Sequence, residues 1–383
     1  MDKPTVQDIF HRFYPAYLDQ YSPSPVQAKV AHNIMNCKTG AYGANVCVCE
    51  DCGSVQIHYN SCRNRCCPMC QAVPKEMWMD ARREDVLDAP YFHLVFTVPD
   101  ILNPVIYSNQ KLLYDALYHA ASSTISELTA DPKHLGAKVG YICILHTWGS
   151  EMNFHPHIHT ILLGGGLTSN NRWKDNGENF FLPIRVISKV FRGKYLEELK
   201  RLWEEDKLVF HGTAEKFRNH YTFKELLDSC YGMEWIPHCK KTFNGAGSVI
   251  KYLGKYTHRI AVSNHRIVRM DDDTVTFSVK DYRNEGQWKE LTISGVEFVR
   301  RFLMHVPPRR FVRIRHYGLL CSRTKNQKLT LCRNLLGCKK YLSKLRNREM
   351  PEVLEHLYGI KVCVCKACGG HLGKPQMKMP LRC

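Results

Sequence analysis

Apolar residues recur at mixed three- and four-residue spacing through TVQDIFHRFYPAYLDQY, which predicts helical structure over residues 1–30. Residues 31–75 break that rhythm with Gly, Asn, Ser and repeated Cys, and residues 76–90 return to it as a linker helix. YFHLVFTVP at 91–99 is aromatic and β-branched and stops at Pro99, which predicts a strand. A helix is expected over 108–129, then strands near 139–147 and 156–164, joined as an antiparallel hairpin by WGSEMNFH. Residues 167–240 are polar and irregular and read as an insertion with one helix near 188–206. A helix near 245–261 follows, then a hairpin over 265–283 that turns at Asp271–Asp273.

The order strand–helix–strand–strand–helix–strand predicts an α+β fold, ferredoxin-like or RRM-like, with a central antiparallel sheet. A small ribbon-like zinc-binding domain would precede it. The expected organisation is 1–30 helical, 31–75 zinc-binding and 76–90 linker, then 91–296 catalytic with its 167–240 insertion. A very basic region over 297–350 and a Cys-containing tail over 351–383 complete the chain. With 383 residues, 44% of them hydrophobic and 23% charged, it can bury two or three cores and is not of disordered composition.

No apolar run reaches the ~18–20 residues of a membrane span, and MDKPTVQDIFHRFY has no signal-peptide core. The reading is therefore a soluble, intracellular protein with no membrane partner. Lys and Arg number 54 against 36 Asp and Glu, a net charge of +18 that suits a polyanionic partner such as DNA or RNA.

Eighteen cysteines in an intracellular chain point to metal rather than disulfides. Cys49-x2-Cys52 and Cys67-x2-Cys70, 14 residues apart, have zinc-ribbon spacing and are expected to share one structural Zn2+. Cys37, Cys47, Cys62 and Cys66 could complete a second site, or some could be small hydrophobes. Near the C-terminus, Cys365-x2-Cys368 is half a zinc knuckle, with Cys363, His371 and Cys383 as further candidates. Arg63 and Arg65 would let the N-terminal module touch DNA.

NFHPHIHTILLGGG sets His155, His157 and His159 on one face of a strand. His146, on the neighbouring hairpin strand, falls across from His157 or His159, so three imidazoles could hold a divalent cation, Mg2+ or Mn2+. His155, ahead of Pro156, is expected at the rim as a phosphate contact or a substitute ligand. Further on, Tyr252 and Tyr256 lie four residues apart on one helical face, with Lys255 beside them and His258 and Arg259 following. Two stacked aromatics on a helix are more often core. Mid-helix Gly254 suggests close approach of another backbone or of a nucleic acid. A phenol with a pKa of ~10 becomes a competent nucleophile when a metal polarises the phosphate it attacks. Trp148 would offer a stacking platform for an unpaired base.

HPHIH on a strand followed by YLGKYTHR on a helix resembles the HUH endonuclease superfamily. CKTGAYGANVCVCEDCGSVQIHYNSCRNRCCPMCQ is similar to the zinc-binding domain fused to its two-tyrosine insertion-sequence transposases, and the likeness runs from about residue 20 to about 325. The resemblance implies a bacterial transposase, acting in the cytoplasm at the nucleoid, that cuts single DNA strands at element ends and target. It implies His157 and His159 as metal ligands, Tyr252 and Tyr256 as nucleophiles forming 5′-phosphotyrosine, and Lys255 as the lysine of a Y-x-x-K element. Cys66 stands where the family usually has histidine, and Asn45 where it often does, with Cys47 nearby as a substitute. Some relatives use one tyrosine, and an oligomer is left open. Two alternatives stand beside this reading. A plasmid replication initiator or relaxase of the same superfamily is disfavoured by the cysteine module. A non-catalytic zinc-ribbon DNA-binding protein would show neither metal dependence nor a covalent adduct.

Overall fold

The computed structural model describes residues 3–176, 182–235, 237–241, 249, 254, 261–281 and 286–378. Where one helical segment was expected at the start there are two helices, α1 (Val6–Leu18) and α2 (Pro25–Met35). Each opens with a reciprocal cap, Thr5 with Asp8 and Ser24 with Gln27, and Pro25 takes the first position of α2. Those caps satisfy the orphan amides and so start a fresh helix after Tyr21. A hairpin of β1 (Ala44–Val48) and β2 (Val55–Tyr59) follows, then α3 (Ala72–Arg83).

The central sheet begins with β3 (Tyr91–Thr97). Short α4 (Asn103–Ser108) and long α5 (Gln110–Ala130) lead to the hairpin of β4 (Lys138–Trp148) and β5 (Phe154–Leu167). β6 (Trp173–Asp175) pairs with the end of β5, α6 (Ile184–Glu204) and α7 (His220–Gly232) follow, and β7 (His238–Lys241) joins β3.

β5 is buried along most of its length because both faces of the sheet are covered. On one face Phe92, Leu94, Phe96, Tyr141, Cys143, Leu145, Ile158 and Leu162 pack with residues of α5 and α6. The polar stretch read as an insertion therefore supplies a layer of the domain. Ile187, Phe191, Tyr195, Leu199 and Leu202 form the buried stripe of α6 that completes this core.

β8 (Ile267–Met270), β9 (Thr274–Asp281) and β10 (Gln287–Ser294) form a second antiparallel sheet. The hairpin expected to complete the central sheet thus lies elsewhere. Val275, Phe277 and Val279 alternate inward on β9 and pack with Phe10 of α1 and with Phe298 and Phe302 of α8 (Gly295–Met304). The edge of the central sheet beside β4 is filled instead by β11 (Ile314–Gly318) from the basic region, giving the order β11-β4-β5-β3-β7. The chain continues through α9 (Lys325–Leu336) and α10 (Met350–Tyr358) to β12 (Gln376–Lys378), which returns to pair with β1. Among the described residues no helix is long and apolar enough to cross a membrane.

Candidate metal centre

The β4–β5 register sets His146 directly opposite His157 and Ile144 opposite His159. His157 and His159 alternate onto the face that His146 shares, and one ligand atom of each imidazole lies within 4.8 Å of the others. All three rings are buried. The hairpin loop holds this register: Gly149 N–H donates to the Asn153 carbonyl at 3.1 Å, and Met152 adopts φ 59°. The Met152 carbonyl in turn accepts from His305 Nε2 at 2.9 Å, locking the loop against α8.

His157 Nδ1–H donates to the His155 carbonyl at 2.7 Å, which assigns the tautomer and leaves a lone pair on Nε2. That Nε2 faces His159 Nε2 at 3.1 Å. Burial, with His155 nearby, pushes His157 down to about 4. Burial and the neighbouring His146 and His157 push His159 well below the usual histidine range. Imidazoles with converging nitrogens form a donor set that could hold a divalent cation.

Sequence reasoning gave His93 no role. Its Nε2 lies 2.9 Å from His159 Nδ1, on the side away from His157. The signal was present in YFHLVFT, where a single histidine occupies a buried-face position of an otherwise apolar strand.

One expectation is corrected here. Trp148 is 8% exposed and stacks on His146, with ring centroids 4.5 Å apart, and Arg313 lies over its ring. Its position at the end of β4 encloses it between sheet and His305, so it holds a candidate ligand instead of offering an open face. Arg65, exposed like Arg63, donates to the carbonyls of Phe311 at 2.6 Å and Pro308 at 3.2 Å, tying the cysteine module to the basic region. His155 sits at the rim, its Nδ1 3.2 Å from Asp100 Oδ1.

Tyr252, Lys255, Tyr256, His258 and Arg259 lie outside the described residues. Val249 is buried with Met79, Ile142, Ile144 and Ile161 on the histidine-bearing face of the sheet. A Cβ on Gly254 would overlap Met79 Sδ, so the close approach that Gly254 accommodates is that of an α3 side chain.

The cysteines regroup. Cys37, Cys62, Cys67 and Cys70 place their sulfurs within 4.8 Å of one another, while Cys49 and Cys52 belong to another group. The expected sharing of one site by Cys49, Cys52, Cys67 and Cys70 is corrected by the hairpin. Cys49 and Cys52 occupy the β1–β2 turn, whereas Cys37 and Cys62 flank its open end, about 17 Å away along five-residue strands. Cys67 and Cys70 bracket the single turn before α3 and fall at that open end, with Cys70 Sγ 3.4 Å from Cys37 Sγ and 3.5 Å from Cys62 Sγ. Four thiols so placed have the donor set of a closed structural zinc site. Cys47 and Cys66 join neither group; Cys66 is packed in an apolar cluster, where burial pushes its thiol up to about 11. Asn45 donates to Asn60 Oδ1 at 2.9 Å.

Residues 140–328 match the family described as "Putative transposase", and residues 9–98 match "Transposase zinc-binding domain". "Putative transposase y4qJ" of Sinorhizobium fredii is 40% identical over 369 residues, covering 95% of this chain and 93% of that protein. "Transposase for insertion sequence element IS801" of Pseudomonas savastanoi pv. phaseolicola is 28% identical over 308 residues, covering 79% and 72%. Among solved structures, the metal-bound conjugative relaxase TrwC in complex with oriT DNA is similar at a TM-score of 0.24 and 16% identity. That match spans 29% of this chain and 43% of the relaxase.

Proposed function

We propose that this chain, which belongs to a family of transposases that carry a transposase zinc-binding domain, is a two-tyrosine HUH enzyme that cuts and transfers single DNA strands in rolling-circle-like transposition. The observation that carries the reading is the convergence of three buried imidazoles, His146, His157 and His159, on one face of the sheet. A divalent cation held there, Mg2+ or Mn2+, would supply Lewis-acid polarisation of a DNA phosphate.

The chain's own groups do the rest. The phenol oxygen of Tyr252 or Tyr256 attacks phosphorus, and the bond from phosphorus to the 3′ oxygen breaks. The 3′ oxygen leaves with the proton the tyrosine gave up, and the phosphate stays on the tyrosine as a 5′ diester. Lys255 offsets the charge that grows on the phosphate. The second tyrosine serves the other junction. His155, at the rim beside Asp100, steadies a flanking phosphate, and the net charge of +18 makes binding fall with salt. Structural Zn2+ at Cys37, Cys62, Cys67 and Cys70 joins the ends of α2 and β2 to the start of α3.

Incubation with end-labelled single-stranded DNA carrying an element terminus and Mn2+ tests the reading. It expects a denaturation-resistant protein–DNA adduct that disappears in the Tyr252→Phe/Tyr256→Phe double variant. His157→Ala should abolish the adduct and keep much of the DNA affinity. An undiminished adduct in the double variant sinks the mechanism.

A further inference from the structure

Cys49 and Cys52, left over from the N-terminal module, face Cys365 and Cys368 from the far end of the chain. Cys49 Sγ is 3.5 Å from Cys368 Sγ, and Cys52 Sγ is 3.8 Å from Cys365 Sγ, between residues 319 and 313 positions apart. Tetrahedral thiolates about 2.3 Å from a zinc ion sit about 3.8 Å from each other, so the spacing suits one ion.

The two pairs are also built alike. Both read C-x-x-C-G, and Gly53 and Gly369 adopt φ 70° and 76°, a conformation that glycine takes without strain. Gly53 N–H donates to the Cys49 carbonyl at 3.0 Å, and Gly369 N–H to the Cys365 carbonyl at 2.9 Å. Cys49 N–H reaches five residues ahead to the Ser54 carbonyl at 2.9 Å, as Cys365 N–H does to Gly370 at 2.8 Å. In the second turn, Ala367 N–H and Gly370 N–H point at Cys365 Sγ and Cys368 Sγ, each at 3.4 Å. Backbone donors aimed at sulfur favour the thiolate form a metal requires.

Apolar packing does not explain why these turns meet. Among the described residues, the buried cluster around them consists of Cys47, Cys49, Cys365 and Leu372. A contact with so little apolar surface needs another source of free energy, and metal binding commonly supplies it in small modules. The backbone is joined across the gap as well, by Glu50 N–H to the His371 carbonyl at 3.0 Å and Gly373 N–H to the Val48 carbonyl at 2.9 Å. Beyond this point β12 adds to β1 as the third strand of the ribbon.

We propose that Cys49, Cys52, Cys365 and Cys368 hold one structural zinc ion, so that the ribbon takes one knuckle from each end of the chain and the ion clasps residues 363–378 to the N-terminal hairpin. The site is separate from the cluster at Cys37, Cys62, Cys67 and Cys70, and it does not depend on the strand-cleavage reading.

The test is the zinc content of the full chain after exchange into Mn2+ buffer, read alongside Co2+ thiolate charge-transfer bands and trypsin cleavage within 361–374. Cys365→Ser/Cys368→Ser and Cys49→Ser/Cys52→Ser should each lose one equivalent of zinc. Combining all four changes should lose no more than that. Each variant should become cleavable in the tail, and the zinc of the other cysteine cluster, retained throughout, reports folding. Cys368→His, which preserves four ligands, should keep the ion and shift the cobalt spectrum from four sulfurs to three sulfurs and one nitrogen. Unchanged zinc content in the Cys365/Cys368 variant, additive losses from the two pairs, or an unaltered spectrum in Cys368→His overturns the proposal.

Discussion

His93 Nε2 lies 2.9 Å from His159 Nδ1, while His159 Nε2 faces His157. The contact crosses from β3 to β5 and holds the ring of a candidate ligand from behind. Partners of this kind set tautomer and orientation, and their loss typically lowers metal affinity by ~10–100-fold. His93→Phe keeps a planar aromatic ring and removes the nitrogen that meets His159. It should weaken Mn2+ binding by about that factor in titration calorimetry, with secondary structure by circular dichroism unchanged. Equal affinity in the two proteins would show that packing alone orients His159.

Acid should loosen the junction between the hairpin loop and α8. His305 is buried between Thr147 and Met152, and burial lowers it from 6.5 to about 4. Because the folded value lies below the unfolded one, the unfolded chain takes up a proton first. This contribution to stability is complete above about pH 6.5 and is lost as pH falls toward about 4. Urea midpoints in EDTA between pH 7.5 and 4.5 should fall less steeply for His305→Gln than for the parent. Identical slopes would remove His305 as a source.

Two arginines of one module should behave differently. Arg63→Ala should leave the melting temperature unchanged and lower the salt slope of single-stranded DNA binding by about one. Arg65→Ala breaks two charge-assisted bonds to the carbonyls of Phe311 and Pro308 and should cost about 1.5 kcal/mol or more of stability. Fluorescence anisotropy over a salt series and thermal melts separate the two. Equal salt slopes for Arg63→Ala and the parent would take Arg63 off the DNA surface.

Gly254→Ala tests the packing of Gly254 against Met79. An open helical site would gain ~1 kcal/mol from alanine. Overlap with Met79 should instead cost about 1–3 kcal/mol, relieved in the Gly254→Ala/Met79→Ala pair. Denaturant midpoints of the four proteins in that cycle give the sign, and a stabilised single variant would contradict the packing.

Much of this protein could be read from local pattern, because strand and helix periodicity are properties of neighbouring residues. YFHLVFTVP, the hairpin around WGSEMNFH and the opposition of His146 to His157 all follow from alternation and a short loop. Relations that cross the chain could not be read this way. The pairing of Cys49 and Cys52 with Cys365 and Cys368, rather than Cys67 and Cys70, depends on which end of a hairpin each turn occupies and on a strand that returns from residue 376. The same holds for the edge strand drawn from the basic region, the α6 layer drawn from a polar stretch, and His93 behind His159. Spacing along the chain names the residues able to ligate a metal or to stack. Only the packing of distant segments decides which of them meet, because burial and strand order are set by the whole core and not by any one window of sequence.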